Sequence, residues 1–282
     1  MIVNSNAKIN IGLKILDKRE DGYHTLDTIF AELDWGDSLE FVETITSYEL
    51  VITNETSNIH LPTDDTNLIT RAYRLLQKEV DFPVQEYKIH LTKRIPMGGG
   101  LGGGSSNAAV VLTTLNRLWK LNYSNERLQA LGVQLGADIP FFIKGGIQRG
   151  RGIGEKLSPI MYNQNWYLAI IVPPVHTETK KAYNDYKNYL NDNWNNRNIT
   201  GSELTEINLL DLKNDFEPMF FNNFPEIEKT KSQMIKHGAF YTSLSGSGSA
   251  YFGVFHDQEK AKQLISTVDS SYFSILTKIK FN

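Results

Sequence analysis

Apolar and polar positions change period several times along the chain. Ala7, Ile9, Ile11 and Leu13 alternate with Lys8, Asn10 and Gly12, the period-two pattern of a half-buried strand that puts Lys8 and Asn10 on one face. Asp21-Gly22 predicts a tight turn before a second strand over roughly Thr25 to Leu33. Two shorter strand-like runs follow, Ser38 to Val42 and Tyr48 to Thr53. Leu68, Ala72, Leu75, Leu76 and Val80 repeat at helical spacing with Asn67 as N-cap. Tyr87, Ile89 and Leu91 return to strand period, and Ser105 to Trp119 carries a helical stripe through Ala108, Val111, Leu112 and Leu115. A further helix over Ser124 to Leu135 stops at Gly136.

The second half opens with a buried-type strand, Tyr167 to Val172, then Pro173-Pro174 and helical stretches up to about Lys236. Phe240 to Leu244, Tyr251 to Phe255 and Phe273 to Ile279 read as strands, with a helix near Gln258 to Val268. Seven of the fifteen residues from Asn184 to Asn198 are Asn, the composition of a polar loop. These signals predict an α+β protein of two domains, residues 1–158 and 159–282, a division that the 282-residue length accommodates.

Composition removes whole classes of chemistry. Cys is absent, so disulfides, thiolate zinc sites and Cys nucleophiles are excluded. The six histidines contain no i, i+4 pair, so no protein-built metal site is expected. With 29 Lys+Arg against 32 Asp+Glu the net charge is −3, which argues against a nucleic-acid partner. Residues Met1 to Lys8 lack a basic segment leading into an apolar core, and the apolar run Trp166 to Val175 is interrupted by two prolines. Neither a signal peptide nor a membrane span is expected, and the expected location is cytoplasmic.

Six glycines occupy the seven positions Gly98 to Gly104, between a strand and a helix. Backbone without Cβ atoms lets consecutive N–H groups converge on an anion, and the following helix adds its positive end, so phosphate is the natural ligand. The Walker pattern fails because Gly104 stands where Lys is required, and the dinucleotide fingerprint lacks its strand-end carboxylate, Glu126 lying in a helix. Ser105 and Ser106 either cap the helix or contact a phosphate or its Mg²⁺. Asp138, in Gly136-Ala137-Asp138-Ile139-Pro140, a carboxylate held between a helix end and an apolar run, is either the cap of a short turn or a catalytic base. Periodicity alone makes Lys8 a solvated residue of a strand face.

The run Pro96-Met97-Gly98-Gly99-Gly100-Leu101-Gly102-Gly103-Gly104-Ser105-Ser106-Asn107-Ala108-Ala109 resembles the ATP-binding loop of the GHMP kinase superfamily. Ala7-Lys8-Ile9-Asn10, Arg19-Glu20-Asp21-Gly22-Tyr23-His24, the Asp138 segment and Leu244-Ser245-Gly246-Ser247-Gly248 follow the order of one branch. The acceptor of that branch is diphosphocytidyl methylerythritol, in the non-mevalonate isoprenoid pathway. The resemblance implies a two-domain GHMP kinase fold: an N-terminal ribosomal-S5-like α/β domain, a C-terminal ferredoxin-like α+β domain and an active site in the cleft between them. It implies ATP on the loop, with Mg²⁺, and phosphorylation of the acceptor 2-hydroxyl by a monomer or homodimer. By the same resemblance Asp138 would take the hydroxyl proton, while Lys8 would keep Asp138 ionised and stabilise the transferred phosphate. Tyr23 and His24 would recognise the cytidine, Asn10 would hold the acceptor, Phe30 and Tyr183 are further cytosine-pocket candidates, and Asn67 would lie on the adenine side. Ser249 departs from the branch pattern, in which Pro or Ala is common there. Two other readings remain open: a GHMP kinase acting on homoserine or a mevalonate derivative, and a silent nucleotide-binding regulator.

Overall fold

In the computed structural model, which describes residues 1–57, 60–175, 177, 179–186 and 203–280, the chain folds as two compact units. One unit takes Met1–Ala7, Trp35–Pro96 and Gly102–Gly145; the other takes Lys8–Asp34, Met97–Leu101 and Gly146–Asn282. Both long strands, β1 (Ile2–Lys18) and β2 (His24–Thr44), contribute residues to each unit. The two strand runs expected between Thr25 and Val42 are therefore one strand. Its polar interruption is a close approach rather than a turn, since a Cβ on Gly36 would stand 2.2 Å from the Ser5 carbonyl oxygen.

In the first unit β3 (Glu49–Asn54) pairs parallel with β4 (Glu86–Lys93), and β4 pairs antiparallel with Ser38 to Thr44 of β2. Their apolar face, Leu39, Ile89 and Leu91, shares a core with α1 (Leu68–Lys78), α2 (Gly103–Leu118), α3 (Asn125–Val133) and α4 (Ile139–Lys144). Asn67 caps α1 as predicted, its side chain accepting from Ile69 N at 2.9 Å. The start of α2 differs from the expectation. Its N-cap is Gly102 at φ +70°, a left-handed conformation that glycine adopts without strain, and no side chain caps it. Ser105 and Ser106 lie inside the first turn instead.

In the second unit Leu26 to Ala31 of β2 pairs antiparallel with β5 (Ile147–Gly152), which pairs with β6 (Lys156–Pro159). The sequence pattern missed this hairpin because Gly150, Gly152 and Gly154 erase its apolar alternation. A Cβ on Gly150 would stand 2.4 Å from the Phe30 ring, so that glycine makes room for an aromatic. The short strand β7 (Met161–Tyr162) precedes β8 (Tyr167–Val172), α5 (Thr179–Tyr186), β9 (Glu203–Leu204), which pairs with β7, and α6 (Glu206–Leu209). Then come α7 (Glu217–Asn223), α8 (Pro225–Lys236), β10 (Tyr241–Leu244), β11 (Tyr251–Phe255), α9 (Gln258–Thr267) and β12 (Phe273–Lys278). The antiparallel sheet runs β10-β11-β8-β12, the split βαβ arrangement of a ferredoxin-like domain, over a core that includes Ala169, Ile171, Ile227, Phe255 and Leu264. The Asn-rich stretch lies outside the described residues from position 187 onward. Among the described residues no helix is long and apolar enough to cross a membrane.

Candidate active site

Lys8 is not the solvated residue that periodicity suggested, because β1 is buried on both faces here. A strand covered on both sides places its polar side chains out of water, so each must find a partner. In the second unit the partners form a string. Lys8 Nζ donates to Asn10 Oδ1 at 2.5 Å, Asn10 Nδ2 donates to Thr28 Oγ1 at 3.0 Å, and the Thr28 hydroxyl donates to the Gly12 carbonyl at 2.6 Å. The Lys8 ammonium also stands 5.5 Å from the centroid of the buried Phe30 ring, in cation–π geometry.

The same strand is fastened to the part of the glycine loop that belongs to this unit. Lys8 N donates to the Leu101 carbonyl at 3.0 Å and Ala250 N to the Gly99 carbonyl at 3.0 Å. Ser245 Oγ accepts from Asn10 N at 3.2 Å and donates to the Gly100 carbonyl at 3.0 Å. A Cβ on Gly100 would stand 2.2 Å from the Ser245 carbonyl oxygen, so the late Ser-Gly loop dictates glycine at this position. Met97 and Gly98 are exposed, while Gly99 and Leu101 are buried.

The turn before β2 is braced by its own side chains. Arg19 Nη2 meets Asp21 Oδ2 at 2.8 Å, Tyr23 N donates to Asp21 Oδ1 at 3.1 Å, and Arg19 N donates to the Tyr23 carbonyl at 2.8 Å. Tyr23 is left 60% exposed, an aromatic surface on a fixed turn. His24 stacks on Tyr183 of α5 with centroids 5.3 Å apart, and Tyr183 rests edge-on against Phe216 at 4.8 Å. The structure thus brings Lys8, Asn10 and Phe30 together, and His24 with Tyr183.

The first unit holds the remaining sequence candidates. Pro96 leads to α2, whose opening Gly103 and Gly104 present backbone N–H groups without Cβ atoms. Gly104 lies against Leu68, beside the Asn67 cap. Ser105 is half-buried, whereas Ser106 is buried and accepts from Ser5 Oγ at 2.8 Å. Asp138 is half-buried at the N-cap position of α4, and its side chain makes no capping bond there, so the cap alternative loses its support.

Sequence reasoning missed a buried knot beneath α2. Asp37 accepts from Lys93 Nζ at 2.7 Å, Asn107 Nδ2 at 3.1 Å, Arg94 N at 2.7 Å and Ile95 N at 2.8 Å. A Cβ on Gly103 would stand 2.9 Å from Lys93 Nζ. Burial pushes the Lys93 ammonium below its ordinary value, and the Asp37 carboxylate pulls it back. A signal was present in the sequence, because Lys93 continues the inward series Tyr87, Ile89, Leu91 of β4. Thr28 and Ser245 were missed as partners of Asn10 because only tertiary structure brings them to it. Among the described residues no group of three or more His, Asp or Glu could hold a metal ion.

Comparison with known proteins places these features in context. Residues 67–146 match the GHMP kinases N terminal domain, and residues 191–274 match the GHMP kinases C terminal family. A protein named 4-diphosphocytidyl-2-C-methyl-D-erythritol kinase from Pelodictyon phaeoclathratiforme is 40% identical over 98% of this chain and 96% of its own. A crystal structure of 4-(cytidine 5'-diphospho)-2C-methyl-D-erythritol kinase superposes with a TM-score of 0.81 at 30% identity, covering 100% of both chains. A homoserine kinase from Cytophaga hutchinsonii gives a TM-score of 0.66 at 17% identity over 97% of this chain and 94% of its own, a likeness of fold alone.

Proposed function

Because this chain belongs to the GHMP kinases and, among them, to the 4-diphosphocytidyl-2-C-methyl-D-erythritol kinases, we propose that its site transfers the γ-phosphoryl group of ATP to the 2-hydroxyl of 4-diphosphocytidyl-2-C-methyl-D-erythritol, giving the 2-phosphate and ADP. The observation that carries the reading is the buried Lys8–Asn10–Thr28 string, fastened through Lys8 N and Ser245 to Gly100 and Leu101 of the glycine loop.

Phosphoryl transfer calls for positioning and charge neutralisation more than for covalent chemistry. Lys8 supplies positive charge to the transferring phosphoryl group, and Asn10 holds the acceptor. Asp138 takes the proton of the attacking hydroxyl, a contribution of about 10²- to 10⁴-fold. The loop from Pro96 to Ser106 cradles the ATP phosphates, and Asn67 lies toward the adenine. Tyr23 offers a stacking face and His24 hydrogen bonds to the cytidine end, with Tyr183 behind His24. Mg²⁺ would enter with ATP and neutralise charge on its phosphates. The half-buried Ser105 hydroxyl is an oxygen donor that suits this hard cation, whereas the buried Ser106 oxygen is occupied by Ser5.

The domain division at 158/159 belongs to the same proposal, and the two matched family ranges fall on either side of it. So do a cytoplasmic location, action as a monomer or homodimer, and partners limited to ATP and the cytidyl substrate without nucleic acid. The test is Mg²⁺-dependent ADP release with 4-diphosphocytidyl-2-C-methyl-D-erythritol, homoserine and mevalonate as parallel acceptors. Release with the cytidyl acceptor alone is expected. Release with another acceptor, or with none from a folded protein that binds ATP, would overturn the proposal.

A further inference from the structure

We propose that Thr28, which none of the assignments above places in the chemistry, is a positioning residue that fixes the orientation of the Asn10 amide and through it the Lys8 ammonium. The inference rests on the reading of Lys8 and Asn10 as site residues. A threonine hydroxyl carries one proton, and the short 2.6 Å bond to the Gly12 carbonyl uses it. Toward Asn10 the Thr28 oxygen can therefore only accept. What faces it must be the amide NH2, which leaves Asn10 Oδ1 facing Lys8 Nζ at 2.5 Å. Turning the amide over would set NH2 against NH3⁺ and an amide oxygen against an oxygen with no proton to give.

Burial enforces this choice. Thr28 is 0% exposed, Asn10 2% and Lys8 4%, so water is not at hand to replace any bond in the string. Strand β2 and the loop after β10 also divide the work on Asn10. Ser245 holds its backbone N–H, whereas Thr28 holds the NH2 end of its side chain, so the hydroxyl anchors the amide from the side away from the lysine. A lysine ammonium on a flexible stem gains a fixed position from this arrangement, which is what a group meeting a transferring phosphoryl requires.

The test removes the hydroxyl at constant volume. For Thr28→Val, kcat with the cytidyl acceptor should fall about 10²-fold while KM for ATP stays within about twofold, and Thr28→Ser should recover to within about threefold of the parent. In an Asn10→Ala background, Thr28→Val should cost nothing further, because its effect runs through the amide. Circular dichroism confirms folding at each step. If Thr28→Val does not fold, Thr28→Cys, with a thiol that is only a weak donor and acceptor, is read by the same criteria. Parental kcat in Thr28→Val when Asn10→Ala is slow would overturn the proposal alone. An equal loss in both backgrounds would do the same by showing that Thr28 does not act through Asn10. Parental kcat in Asn10→Ala would overturn it together with the site assignment of Asn10.

Discussion

Lys93 in the first unit and Lys8 in the second are both buried but are held in different ways. Lys93 donates to a carboxylate that also receives Asn107, Arg94 N and Ile95 N, so Asp37 brings both opposite charge and a full complement of donors to one point. Lys8 donates to the oxygen of a neutral amide, and that amide is oriented by a hydroxyl. The first arrangement is a closed pair that ties β2, β4 and α2 together. The second fixes where an ammonium sits through an amide that a hydroxyl orients. The difference teaches that burial and bonding alone do not identify a working lysine. What marks Lys93 as a structural cation is that its carboxylate partner is filled by three further donors from the same unit.

Breaking the closed pair tests the first half of this contrast. Asp37→Ala strands Lys93 in the core and should cost about 3 to 5 kcal/mol in denaturant melts. Asp37→Leu with Lys93→Met removes both charges and should recover most of that loss. A double variant as unstable as Asp37→Ala would show that the knot is not an ion pair in energetic terms. Asn10→Asp makes the complementary change by setting a carboxylate in place of the amide against the Lys8 ammonium. Turnover should then fall about 10²- to 10³-fold with little change in melting temperature, because the charge at the reacting phosphoryl is neutralised. Unchanged turnover would remove the charge argument for Lys8.

How much of this was legible in the sequence follows from the range of the interactions. Alternation along β1 put Lys8 and Asn10 on one face, and the glycine run located the loop before α2. The Asn67 cap was also legible, because it bonds only two residues away. The Asp37 knot was not, since its partners lie 56 to 70 residues along the chain, and neither was the Ser245 bond to Asn10, 235 residues away. Burial of both faces of β1 is a tertiary outcome that one strand's pattern does not encode. Gly36 and Gly150 read as breaks, whereas each makes room for a neighbour, the Ser5 backbone and the Phe30 ring.

A half-buried carboxylate sharpens the comparison by lying between its extremes. Asp215, in the second unit, accepts from Ile15 N at 2.7 Å, but burial outweighs that bond and the nearby Lys14 charge and pushes its carboxyl up to about 6. The folded value lies above the ordinary 3.8, so the fold favours the protonated form. The stability contribution is fully present below about pH 4 and fades as pH rises through about 6. Asp215→Asn keeps an acceptor for Ile15 N–H while removing the charge. Above pH 7 it should gain stability, by no more than about 3 kcal/mol, and the gain should vanish below about pH 4. A loss at neutral pH would mean that the ionised carboxylate is the form the fold holds.

The most direct measurement sets the two lysines side by side, comparing kcat for ADP release per folded molecule and melting temperature in Lys8→Met and Lys93→Met. Lys8→Met should lose at least about 10²-fold in kcat and keep its melting temperature, while Lys93→Met should melt lower and keep kcat within about threefold. The reverse pattern, a slow Lys93→Met beside an active Lys8→Met, would contradict the assignment of the working lysine.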